Sequence, residues 1–127
     1  MAREKQFARV AALPLRIRKS PTPHVGRALA LLHAKPDHPW TVDELAREAA
    51  LSRSALADRF VALVGEPPMQ YLTRWRLALA AQRLRSDREA IARVAERSGY
   101  ESEAAFSRAF KREFGMPPAA WRKAGPG

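Results

Sequence analysis

The sequence has no cysteine and only three histidines in 127 residues. That excludes a disulfide scaffold and any Cys-ligated zinc, and it fits a reducing compartment. No apolar run approaches the roughly 20 residues that a membrane span needs. No stretch shows the strict alternation of a half-buried strand. Acidic residues are scarce, with 13 Asp+Glu against 23 Lys+Arg and a formal net charge of +10. No GxGxxG, P-loop or HExxH spacing occurs. His24, His33 and His38 lie apart from any group of acids or nucleophiles, so neither catalysis nor a bound metal or cofactor is expected. What is present is 46% hydrophobic residues, enough for a core, in a length that fits one ordinary domain or two small helical units. The charge makes an anionic partner the leading expectation.

The positive charge is unevenly spread. Residues 1–20 hold six basic residues and one acidic residue. Arg16, Arg18 and Lys19 stand where a secretory signal would need its cleavage site. Residues 1–24 read as a basic, flexible arm. Between residues 41 and 72 acids outnumber bases, with Asp43, Glu44, Glu48, Asp58 and Glu66 against Arg47, Arg53 and Arg59. From residue 73 onward the excess is basic again.

Prolines and capping residues divide the rest into helices. Ser20-Pro21-Thr22-Pro23 reads as a linker, and apolar spacing predicts a helix from His24 to Lys35, stopped by Pro36. Thr41-Val42-Asp43-Glu44 forms a capping box that opens a short helix to about Ala49. Ser52 caps a longer helix with Leu56, Phe60, Leu63 and Val64 on one face, ended by Gly65. Residues 68–86 form a long connector rich in leucine, alanine and arginine. Ser86 and Glu89 form a second capping box for a helix from Ala90 to Ser98. Ser102 caps the next helix, which aligns Phe106, Phe110 and Phe114 until Gly115, and a last short helix surrounds Trp121. The class is all-α.

The second half repeats the first. A shift of 50 residues lays Phe60, Gly65, Pro67, Pro68 and Tyr71 on Phe110, Gly115, Pro117, Pro118 and Trp121. Leu45-Ala46 and Ala50 fall on Val94-Ala95 and Gly99 at a shift of 49. Each unit is a short helix, a tight turn and a longer helix, which is the helix-turn-helix plan. The connector of about 19 residues spans roughly 28 Å. With the flanking helices added, the two second helices are expected near one DNA turn apart, about 34 Å. Exposed aromatic platforms for single-stranded RNA are not expected, because the aromatic residues have core spacing.

Residues from Val25 to Ala124 resemble the DNA-binding domain of the AraC/XylS family of bacterial transcription regulators. The most specific stretch is Ile91-Ala92 with Ala95, Gly99-Tyr100, Phe106, Phe110-Lys111, Gly115 and Pro118. The resemblance implies about seven helices: a first helix-turn-helix subdomain at 25–72, a long connector helix at 68–86 and a second subdomain at 87–124. It implies binding to double-stranded DNA and regulation of bacterial transcription, in the cytoplasm at the nucleoid. Family members commonly carry a separate sensor or dimerisation domain, for which these residues leave no room; the expectation is either a stand-alone regulator or the C-terminal part of a longer one, with a shortened relative preferred.

The family's base-reading positions fall on Arg53, Ser54, Ala57 and Asp58 in the first unit. In the second they fall on Ser102, Glu103, Ala104, Ser107 and Arg108. Arg108 is the strongest single choice, since a guanidinium pairs bidentately with guanine O6 and N7. Asp58 departs from the basic or amide residues of relatives and puts base reading by the first unit in question. Ser52, Arg74, Arg76, Lys111 and Arg112 are the phosphate-contact candidates. The rival reading is a protein–protein module that contacts RNA polymerase or a sensor domain and has only non-specific DNA affinity.

Overall fold

The structure, a computed structural model, describes residues 23–86 and 88–125. The basic arm therefore lies outside the described residues, except for Pro23 and His24. Among the described residues there are seven α-helices and no strand: α1 (Pro23–Ala34), α2 (Val42–Glu48), α3 (Arg53–Val64), α4 (Pro68–Ser86), α5 (Ile91–Arg97), α6 (Glu103–Phe114) and α7 (Pro118–Ala124). Two compact units divide between Trp75 and Arg76, within α4. No described helix is long and apolar enough to cross a membrane.

Two expectations at helix boundaries are corrected. Pro23 belongs to α1 rather than to a linker. A proline in the first helical turn lacks only an N–H that would find no intrahelical partner there. The second capping box does not form: Ser86 ends α4 and donates its hydroxyl to the Gln82 carbonyl at 2.9 Å. Ala90 precedes α5 with no side-chain cap. Glu89 instead accepts from Arg97 Nη1 at 2.9 Å, a more attractive partner than a backbone amide. The first box is half realised. Thr41 Oγ1 accepts from the Glu44 amide at 3.1 Å, while the Glu44 carboxylate pairs with His38 Nε2 at 2.8 Å.

In the first unit, Val25, Leu29 and Leu32 of α1 pack with Leu45 of α2, Leu56 and Phe60 of α3, and Tyr71 and Leu72 of α4. In the second, Leu77, Ala81 and Leu84 of α4 meet Val94 of α5, Phe106, Phe110 and Phe114 of α6, and Trp121 of α7. Leu63 and Val64, which spacing sets on the inner face of α3, are only half-buried, as are Leu51, Trp75, Leu79, Ile91 and Tyr100. Small Ala46 and Ala95 are fully buried where the short helix of each unit meets the longer one.

The turns between the paired helices are built alike. After α2, the Leu51 amide donates to the Ala46 carbonyl at 2.9 Å and the Ala50 amide to the Arg47 carbonyl at 3.1 Å. After α5, Tyr100 and Gly99 make the corresponding bonds to Ala95 and Glu96 at 3.1 and 3.0 Å. This double bond pattern turns the chain out of a helix and needs a left-handed residue. Gly99 supplies it with φ of 88°, but the first unit uses Ala50 at φ of 59°. A Cβ there costs about 1 kcal/mol or more. Ala50→Gly is therefore expected to stabilise the first unit by roughly 1 kcal/mol, read as a higher urea midpoint at unchanged m.

His33 of α1 is half-buried in the first unit, where its Nε2 meets the Tyr71 hydroxyl and its ring lies 4.3 Å from that of Trp75. Burial holds the imidazole down at about 4 and pushes the Tyr71 phenol up. The ring is thus neutral when folded, while in the unfolded chain it takes a proton near 6.5. Between these values the unfolded state binds more protons, so stability rises with pH through this window and is complete above it. The melting temperature is expected to fall as pH drops from about 6.5 towards about 4, and His33→Gln should flatten that decline.

Three arginines of α4 lie against other parts of the protein. Arg74 Nη1 binds Glu66 Oε2 at 3.1 Å, and its side chain is only 20% exposed. The Arg76 guanidinium lies over the α5–α6 turn, where a Cβ on Gly99 would come within 3.5 Å of its Nη1. Arg85 stacks 3.6 Å from the Trp121 ring centroid and donates from Nε to the Trp121 carbonyl at 3.2 Å. Arg122 of α7 returns the contact, its Nε donating to the Leu84 carbonyl at 2.8 Å. Arg74, Arg76 and Arg85 are thus engaged by the protein itself.

Candidate nucleic-acid interface

Each unit offers the outer side of its longer helix. Ser52 Oγ accepts from the Ala55 amide at 3.1 Å and Ser102 Oγ from the Ala105 amide at 3.0 Å, which fixes where each helix begins. Each such cap contributes about 1 kcal/mol. Gly65 and Gly115, at φ of 97° and 83°, end the helices and donate to Val61 and Lys111 carbonyls. The two helices are thus the same length, in the same register of the repeat.

On α6, burial of Phe106, Phe110 and Phe114 sets the orientation. Ser102, Glu103, Ala104, Arg108, Lys111 and Arg112 are exposed and Ser107 is half-buried. Arg108 and Lys111 are one turn apart, and Arg112 follows, so three cations share the solvent side. Arg112 and Arg76 both lie near the half-buried Tyr100 phenol, and their charges partly offset the rise that burial causes in it.

On α3, Leu56 and Phe60 face inward. Arg53, Ser54 and Asp58 are exposed and Ala57 is half-buried. Arg53 Nε is held by Asp43 of α2 at 3.1 Å. The repeat sets Asp58, Val61 and Ala62 where α6 has Arg108, Lys111 and Arg112, so the outer side of α3 lacks that trio of cations.

The expected phosphate contacts divide. Lys111 and Arg112 stand open to solvent, whereas Arg74 is engaged by Glu66 and Arg76 is packed over a turn. Sequence reasoning missed three side chains that shape this surface: Asp43, which holds Arg53; Glu66, which holds Arg74; and exposed Val61. The repeat carried a signal for Val61, by aligning it with Lys111. The acid–base pairs left none, because Asp43 and Arg53 are joined by the turn geometry rather than by helical spacing.

Each histidine has a structural partner: His24 Nδ1 meets the Ala49 carbonyl at 2.8 Å, His33 meets Tyr71, and His38 meets Glu44. Among the described residues, no three His, Asp or Glu side chains group as metal ligands would.

Comparison with known proteins agrees with this geometry. A family model described as a helix-turn-helix domain matches residues 45–124. An AraC-like transcription regulator of Streptomyces lividans is 54% identical over 101 residues, covering 80% of this chain and 33% of that protein. The chain thus spans about a third of the length of the curated relatives it matches. A transcriptional regulator from Chromobacterium violaceum, of the kind containing an AraC-type DNA-binding domain, superposes with a TM-score of 0.78 at 28% identity. That match covers 83% of this chain and 96% of the other. The DNA-binding domain of AdpA, a global transcriptional factor solved with a target DNA, gives a TM-score of 0.74 at 31% identity, with 79% and 90% covered. The tandem units, their shared capping and these matches lead to one assignment: the chain belongs to the AraC-type helix-turn-helix family of transcription-regulator DNA-binding domains.

Proposed function

We propose that the chain binds double-stranded DNA sequence-specifically, presenting α3 and α6 to the major groove, and so regulates bacterial transcription. The observation that carries this is the outer side of α6, where Arg108, Lys111 and Arg112 stand exposed opposite three buried phenylalanines. A helix of this kind, set at a fixed start by a serine cap, is what major-groove reading requires.

Within this reading, Arg108 takes a guanine edge, with Ser102, Glu103, Ala104 and Ser107 around it. Arg53, Ser54, Ala57 and Asp58 line the first unit's contact. Asp43 lies 3.1 Å from Arg53 Nε and supports the guanidinium beside the start of α3. Lys111 and Arg112 neutralise phosphates. Ser52 and Ser102 add phosphate contacts, because capping uses only an acceptor lone pair and leaves the hydroxyl proton to donate. Arg74 and Arg76 act on the backbone only indirectly, by holding Glu66 and the α5–α6 turn.

The role requires no catalytic group and places the protein in the cytoplasm at the nucleoid. A second reading, contact with RNA polymerase or a sensor domain through the first unit, draws on its exposed Asp58 and Val61. Selection of bound duplexes from a random pool, followed by a salt titration, separates the two. The DNA reader enriches a consensus, and its log affinity falls linearly with log salt, at about 0.9 per phosphate neutralised. A pool that stays unenriched, with all duplexes bound equally, overturns it.

A further inference from the structure

Val61 is 44% exposed, and among the described residues no other large hydrophobic side chain stands so open. A lone exposed valine is ordinary on a protein surface. Its position is what matters. Ser54, Ala57, Asp58 and Val61 recur at helical spacing on one side of α3, away from Leu56 and Phe60. The repeat places Lys111 at the matching point of α6, within the cationic side.

Neither Ala57 nor Val61 has a side-chain donor or acceptor. Neither can hold a phosphate oxygen or pair with a base heteroatom, and Asp58 beside them repels phosphate. A major-groove edge offers such side chains one feature to bury, the C5-methyl group of a pyrimidine. We propose that Val61, with Ala57 beside it, reads a pyrimidine C5-methyl in the major groove. The first unit then adds specificity through methyl burial to the guanine contact and the phosphate grip of the second. This rests on the DNA-binding reading above.

Two bases carry that methyl: thymine and 5-methylcytosine. The probes are the duplexes enriched from a random pool. In one set each thymine is replaced singly by deoxyuridine, which removes the methyl and keeps the pairing edge and phosphate. In the other each cytosine is replaced singly by 5-methylcytosine. Burial of one methyl predicts about a fourfold effect on Kd. If thymine is the source, one or two deoxyuridine positions weaken the wild type by about that factor. If 5-methylcytosine is the source, methylation at one position strengthens binding by the same factor.

In either case Val61→Ser, at an exposed site that leaves the core intact, should bind the two members of the pair alike. Val61→Lys, which installs the repeat's cation, should bind all duplexes more tightly, with a steeper salt slope and no methyl preference. Wild-type binding that is indifferent to both replacements at every position overturns the proposal and leaves this side of α3 to a protein partner. So does a methyl effect that persists undiminished in Val61→Ser. Failure to enrich any duplex is distinguishable, since it brings down the DNA-binding reading itself.

Discussion

Arg108→Ala is expected to weaken binding to the preferred duplex by about 1–3 kcal/mol, roughly 5- to 150-fold, and to erase preference at one base pair. The reason is geometric. A guanidinium set across two acceptors of guanine gains little from any other base, so its loss appears as lost discrimination. Lys111→Ala gives the contrasting result: a nearly uniform loss across sequences and a salt slope smaller by about 1. Titrations of both variants against a set of single-base-pair mismatches check this. A uniform loss for Arg108→Ala would reassign that residue to phosphate. Because Arg108 is exposed, neither variant should change the melting temperature appreciably.

Phe110→Ala is expected to cost the second unit about 3–5 kcal/mol. The ring is fully buried, with Phe114 centred 4.7 Å away, Phe106 at 5.6 Å and Trp121 at 5.8 Å. Three aromatic neighbours cannot collapse into the space a phenyl group leaves, so the cavity persists. For a small domain whose whole stability is about 5–15 kcal/mol, that loss approaches global unfolding. Urea unfolding followed by far-UV circular dichroism should show a much lower midpoint, and DNA binding should fail with it because α6 carries the cations. A loss below about 1 kcal/mol would mean the cluster repacks.

Much of this was readable from side chains alone. Phe60 and Phe110, the two serine caps, the paired glycine stops and the proline pairs recur at fixed offsets, and each acts locally. Their structural consequence therefore follows from sequence spacing. The roles of the arginines were not readable. Arg74 and Arg85 look alike on a helical projection, yet one pairs with Glu66 and the other lies on Trp121. That choice depends on which residue the fold brings alongside, across 8 positions in one case and 36 in the other. Glu89 shows the same limit, since a capping-box pattern lost to Arg97, one helix further on. Local rules held where neighbours in sequence were the only candidates, and failed where a charged partner arrived from elsewhere.

The left-handed alanine after α2 has an evolutionary consequence. Every alanine codon becomes a glycine codon through a single base change, so the relief of strain at Ala50 lies one mutation away. Proteins persist just above the stability they need, and a reserve of this size can absorb the cost of a damaging change elsewhere. A conservative substitution in the first unit's core, such as one at Leu56 of α3, would then be better tolerated.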